Sequence, residues 1–195
     1  MARSFNRTHR RLFILIDSME GLEERLVFHI LHKVIELLGN NDAIELISLQ
    51  SESRQGTHLL ASDANIQELA RDSLVRLSEP LEGSRRSKSV IEGLIYHFER
   101  LVMPSADHQN CSQYVMVLMS DGILNDVRSE KESFKRPYCK SLTIGDCYMH
   151  LLLVGNHIKS EQFQRSKVVK ALKEAQTFLQ IDLKNFDEES TKEDL

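Results

Sequence analysis

The segment YVMVLMSD (residues 114–121) opens with an unbroken apolar run and stops at a serine and an aspartate. A half-buried strand would alternate apolar and polar residues. A short continuous run bounded by polar residues reads instead as a parallel strand covered on both faces. RLFILID (11–17) and YMHLLLVG (148–155) repeat the pattern, and AIELISLQ (43–50) is a fourth, less continuous apolar run. Helical patterns lie between them. Leu26, Ile30, Val34 and Leu37 share one helix face, and Gly39-Asn40-Asn41-Asp42 supplies the turn residues that end it. Ile91, Leu94, Ile95, Phe98 and Val102 recur at helical spacing before Pro104, as do Val168, Leu172 and Ala175 near the C-terminus. A further helix is expected over 65–77 and a minor strand over 58–61. The stretch 177–183 reads as an edge strand or as an extension of the last helix. Strands alternating with helices of this length are βαβ units, so the chain is expected to form an α/β fold: a doubly wound, mostly parallel sheet of about six strands with helices on both faces.

The bulk composition agrees with one such domain. Of 195 residues, 41% are hydrophobic and 28% charged, the balance of a globular chain with a core of its own. Residues 1–9 read as a basic lead, 10–183 as the α/β domain and 184–195, which include DEESTKEDL, as an acidic tail expected to be solvated and disordered. A formal net charge of -4 argues against general binding to nucleic acid, which favours basic surfaces. No stretch approaches the ~20 apolar residues of a membrane span. The apolar run after Arg10 and Arg11 ends at Asp17, too soon for the core of a signal peptide. Cys111, Cys139 and Cys147 are odd in number and lack CxxC spacing, which points to reduced thiols, not to disulfides or structural zinc. The expected setting is therefore intracellular, in the cytoplasm or nucleus.

In an open parallel sheet, ligands gather beyond the carboxyl ends of the strands. Two runs end there in aspartate: Asp17 after FILI, and Asp121 after VMVLMS. Such a carboxylate suits a hard cation or a partner's basic group, although Asp17 could equally cap the following helix. Other signals are weaker. Gly83-Ser84-Arg85-Arg86-Ser87-Lys88-Ser89 imitates a phosphate-binding loop but is one residue short and lacks the glycine before the lysine. His29 and His32 lie one helical turn apart with no Glu-x-x-His arrangement around them. No nucleophile elbow or dinucleotide-binding loop is present, so no catalytic machinery is visible and the chain is not expected to be an enzyme.

Four segments in order, FILIDSMEG, EGSRRSKSVIEGL, VMVLMSDGILND and MHLLLVG, resemble the landmarks of the von Willebrand factor A domain family, which includes the integrin I domains. The resemblance spans residues 10–183, and the apolar strand followed by Ser-Asp-Gly is its most distinctive part. It implies a doubly wound sheet with one short antiparallel edge strand. It also implies a site at the top of the sheet where Mg²⁺ or Mn²⁺ is completed by a partner's carboxylate. The pattern for that metal begins Asp-x-Ser-x-Ser; here Asp17 stands in place, but Met19 and Gly21 replace the two serines. Ser84 matches the second-loop threonine and Asp121 the third-loop aspartate. Asp17, Ser84 and Asp121 are thus the candidate metal ligands of a degenerate site, able at most to hold Mg²⁺ or Mn²⁺ weakly. No cofactor is expected to be required.

Arg85 and Arg86 beside Ser84 raise the electrostatic cost of a cation and could pair with a partner's carboxylate directly. Asp17, Ser84, Arg85, Arg86 and Asp121 are therefore the expected partner-binding residues. The region between Asp126 and Cys147 is charged, broken by Pro137, and reads as a variant contact loop or a plain surface loop in place of the family's helix. These features point to an intracellular protein-interaction module, a subunit or scaffold of a larger complex. A metal-dependent ligand-binding domain is the alternative. A phosphatase-like hydrolase comes third, because that class needs Asp-x-Asp where this chain has Asp17-Ser18-Met19.

Overall fold

The computed structural model describes residues 10–49, 56–79, 112–128, 148–173 and 177–185. Their elements in chain order are β1 (Arg11–Ile16), α1 (Glu24–Glu36), β2 (Ala43–Ser48), β3 (Gly56–Leu60), α2 (Ile66–Ser78), β4 (Ser112–Met119), α3 (Asp121–Arg128), β5 (Tyr148–Gly155), α4 (Glu161–Gln164), α5 (Lys167–Leu172) and β6 (Thr177–Asp182). A 3₁₀ turn, Leu183–Asn185, follows β6. The strands form one six-stranded sheet in the order β3-β2-β1-β4-β5-β6. All neighbouring pairs are parallel except β2–β3 at the edge. The expected doubly wound α/β sheet with one antiparallel edge strand is the fold the chain adopts.

Continuous apolar runs follow from burial on both faces. Successive side chains of a strand point to opposite sides, so β1 sends Phe13 and Leu15 one way and Leu12, Ile14 and Ile16 the other. Phe13 and Leu15 join Val115, Val117, Leu151 and Leu153, and this layer is closed by Ile123 of α3, Phe163 of α4 and Val169 of α5. Ile14 and Ile16 join Met116, Leu118 and Val154 beneath α1 and α2, which contribute Leu26, Val27, Ile30, Ala70 and Leu74. β2 explains the less continuous run. Its Ile44 and Leu46 are buried under the second layer, while Glu45 on the opposite face reaches Arg11 and His58, each at 3.9 Å. That face is only half covered, so a charged residue is tolerated there.

The edge strand lies at Gly56–Leu60, slightly earlier than the expected 58–61. Thr177–Asp182 is a strand, which settles the choice between strand and helix extension. The apolar spacing after Ser166 forms α5, ending at Leu172, and Ala175 of that spacing lies outside the described residues. The helix expected around Ile91–Val102, the basic lead 1–9 and the tail beyond residue 185 lie outside the described residues. So do the three cysteines.

Every parallel strand ends at the same rim of the sheet. Chain order runs outward from β1 in one direction to β2 and from β4 in the other to β5 and β6. The reversal falls between β1 and β4, so the connections leaving these two neighbours diverge and open a crevice beyond their carboxyl ends. At the opposite rim, buried Asp42 ties the entry of β2 to the chain before β1. Its carboxylate accepts the Arg10 amide at 2.9 Å and the Gly39 amide at 2.8 Å.

Candidate functional site

Asp17 and Asp121 follow the two strands that flank the reversal point. Ile16 pairs with Leu118 in the parallel β1–β4 ladder, so the two chains leave the sheet side by side. The packing beyond is reciprocal. A Cβ added to Gly122 would stand 3.3 Å from Asp17 Oδ2, and one added to Gly21 would stand 2.1 Å from Asp121 Oδ2. Each aspartate therefore rests against the glycine of the other loop. Gly21 has φ +76°, the left-handed region that glycine enters without the steric cost of a Cβ.

The two carboxylates differ in access. Asp17 is 0% exposed, and its Oδ2 accepts the Ser120 hydroxyl at 3.1 Å. Ser120 Oγ in turn accepts the amide of Ile123 at 3.3 Å, so Ser120 caps α3 while donating to Asp17. The start of α3, with its outward N–H groups and positive dipole end, is a favourable place to hold a buried negative charge. The Asp17 carboxylate, expected to meet a cation or a partner's basic group, is not exposed to either, because the start of α3 packs against it. Nor does Asp17 cap α1. That helix begins only at Glu24, with Glu23 as its capping residue. Asp121, in the first turn of α3, remains partly accessible, with Glu20 and Gly21 exposed beside it.

The loop from Asp17 to Leu22 is held by several hydrogen bonds. Leu22 N donates to Met19 O at 3.0 Å, Glu20 N to Ser18 Oγ at 3.3 Å, and Asp121 N to Glu20 O at 3.3 Å. The side chain of Asn156, just beyond β5, donates to the Gly21 carbonyl. Ser120 and Asn156 are thus functional-site neighbours that the residue pattern did not single out. The signal for Ser120 was present in Ser120-Asp121-Gly122, a capping residue followed by an acidic first turn. The signal for Asn156 required knowing that β5 ends one strand beyond β4.

Mg²⁺ demands near-octahedral oxygen coordination and dehydrates reluctantly. At this corner Met19 and Gly21 bring no side-chain oxygen, the space above Gly21 is filled by the Asp121 carboxylate, and Asp17 is engaged by Ser120. Among the described residues no group of three or more His, Cys, Asp or Glu side chains could hold an ion. The described donors therefore do not fit a Mg²⁺ or Mn²⁺ site by themselves. Ser84, Arg85 and Arg86 lie outside the described residues, as does the contact segment beyond Arg128. His29 and His32 sit half-buried on α1, and His32 Nε2 lies 3.0 Å from Glu36 Oε1. Among the described residues no helix is long and apolar enough to cross a membrane.

Compared with known protein families the chain matches none, and no curated protein sequence is significantly similar to it.

Proposed function

We propose that the chain is a protein-interaction module of the von Willebrand factor A type, a subunit or scaffold of an intracellular complex that docks its partner on the carboxyl rim of the sheet. One observation carries this reading: Asp17 and Asp121 follow adjacent strand ends, each packed against the glycine of the other's loop, at the point where strand order reverses, the place in open α/β sheets where ligands bind. Asp121 is the partly accessible member and acts as the contact residue. Asp17, buried beneath it, supports the start of α3 through Ser120. Ser84, Arg85 and Arg86 complete the contact set and give it cationic groups suited to bidentate pairing with a partner's carboxylate.

The test is quantitative affinity capture from the native source with the wild-type chain, Asp121→Lys, and the double variant Arg85→Glu with Arg86→Glu. The two variant proteins are expected to lose the same captured species while keeping the wild-type circular dichroism and melting temperature. Retention of an identical set by all three proteins would refute the reading.

A metal-dependent version of the same docking is the second reading, and it requires donors beyond the described residues, since Asp17 and Asp121 do not make a Mg²⁺ or Mn²⁺ site by themselves. It predicts that Mg²⁺ or Mn²⁺ raises the melting temperature, because a ligand that binds only the folded chain adds about 2.7 kcal/mol at a hundredfold excess over Kd. No shift at millimolar metal eliminates it.

A further inference from the structure

We propose that Asn156 is a positioning residue of the docking rim, holding the loop 17–22 in the shape that sets Asp121 beside it. The proposal rests on the docking reading above. Asn156 is the first residue after β5 and is only 4% exposed, yet its amide nitrogen donates to the carbonyl of Gly21, 135 residues away in sequence. β5 does not touch β1; β4 lies between them. The Asn156 side chain therefore passes over the end of β4 to reach the first loop, and so joins the ends of three strands. The other hydrogen bonds described for the loop are local, or come from Ser120 and Asp121 at the end of β4.

The Gly21 peptide is consequently held from two directions. The Asp121 carboxylate covers the Cα on the side a side chain would occupy, and Asn156 takes the carbonyl. A left-handed glycine has broad conformational freedom, and a loop built around one keeps a single shape only if its peptide groups are fixed from outside. Asn156 is itself presented by a built turn. The following residue, His157, has φ +54°, a conformation that few non-glycine residues adopt. Its amide donates to Asp182 Oδ1 at 2.9 Å, and the same oxygen accepts Lys184 N at 3.2 Å. Ser160 N closes the turn on His157 O at 3.0 Å. Asp182, at the end of β6, is buried. The turn thus fixes the backbone from which the Asn156 amide points across the rim.

The chemistry of the role is a neutral side-chain N–H donor of asparagine length. An ionised aspartate of the same shape has no proton to give and would set a negative charge against the carbonyl. On the uniformly labelled wild-type chain, a scalar coupling through the hydrogen bond should connect Asn156 Nδ2 to the Gly21 carbonyl carbon. Its absence with both signals resolved overturns the proposal without any variant.

Amide exchange then reads the consequence in the full chain. In Asn156→Ala the protection of the Leu22 and Asp121 amides is expected to fall about five- to tenfold, the scale of one hydrogen bond. Ala43 and Ala61, whose amides donate to Arg10 O and Asp42 O at the opposite rim, serve as the reference and should keep their protection. Asn156→Asp should behave like the alanine variant near neutral pH and recover protection at acid pH, where its protonated carboxyl donates again; the wild type should show no such recovery. Unchanged protection at Leu22 and Asp121, an equal fall at all four amides, or an aspartate variant indifferent to pH would each overturn the proposal. These readouts need no partner. Failure of the capture experiment on Asp121→Lys leaves them standing, and their failure leaves that experiment unaffected.

Discussion

Gly21 is the position at which sequence and geometry constrain each other most tightly, and replacing it with alanine tests the reciprocal packing of the two loops. The new Cβ would meet all three carboxyl atoms of Asp121, at 2.1, 2.3 and 2.8 Å, so the Asp121 side chain must leave its place. The backbone contributes independently: at φ +76° a Cβ costs about 1–2 kcal/mol. Driving the Asp121 side chain off its rotamer adds about 0.5–1.5 kcal/mol. Asp121 is partly exposed and can yield, which keeps the sum in the middle of that range, about 2–3 kcal/mol. For a chain of this size that corresponds to a fall of roughly 4–12 °C in melting temperature. Equilibrium urea unfolding, compared at constant slope, measures it directly. Gly39→Ala is the control, because its Cβ would meet nothing closer than Asp42 Oδ2 at an ordinary 3.6 Å, and it should leave stability unchanged or raise it by up to about 1 kcal/mol. If Gly21→Ala were no more destabilising than Gly39→Ala, the Asp121 carboxylate would not be resting on Gly21. Gly21→Ser, which restores the oxygen of the metal pattern, should show the same loss, since the same backbone and the same carboxylate oppose it.

Two further outcomes follow from features away from the rim. Asp42→Ala leaves the Arg10 and Gly39 amides without their acceptor and should destabilise the chain by about 2–4 kcal/mol in urea unfolding; a loss under 1 kcal/mol would mean that this clamp is dispensable. Lys33, by hydrogen bond and charge, and His32 beside it hold the Glu36 carboxyl below its ordinary 4.5. A group with a depressed folded value adds stability above its unfolded pKa and loses it as pH falls through the folded one. The Glu36 carboxyl carbon should therefore titrate below 4.5 by NMR, and Lys33→Ala should raise that midpoint; an unmoved midpoint contradicts the assignment.

Burial on two faces leaves an unmistakable trace in residue order, and so β1, β4 and β5 were legible as apolar runs and the α/β class as their alternation with helices. α1 was legible because Leu26, Ile30 and Val34 repeat at the helical period. α4 was not, since four residues cannot display a period, and its buried Phe163 sits in an otherwise polar stretch. α3 was hidden behind the strand–Ser–Asp–Gly landmark, whose residues were read as a ligand loop although Ser120 caps a helix there. At the site, the spacing of strand ends was sufficient to pair Asp17 with Asp121. It could not assign their access, because which carboxylate is covered depends on how the loop after β1 folds over α3. Nor could the order of residues reveal Asn156, whose relation to Gly21 exists only once β5 is known to lie two strands from β1.

The sheet also divides the interior into two compartments that share a wall of backbone but few side-chain contacts. Met116 and Val117 are consecutive in the chain, yet one belongs to the layer under α1 and α2 and the other to the layer under α3, α4 and α5. Volume changes on one side are therefore relieved, or left as voids, among that side's own helices. Paired substitutions straddling the sheet should combine close to additively, whereas pairs within one compartment should not. Either half of the interior can accordingly be redesigned while the other is kept as a fixed reference.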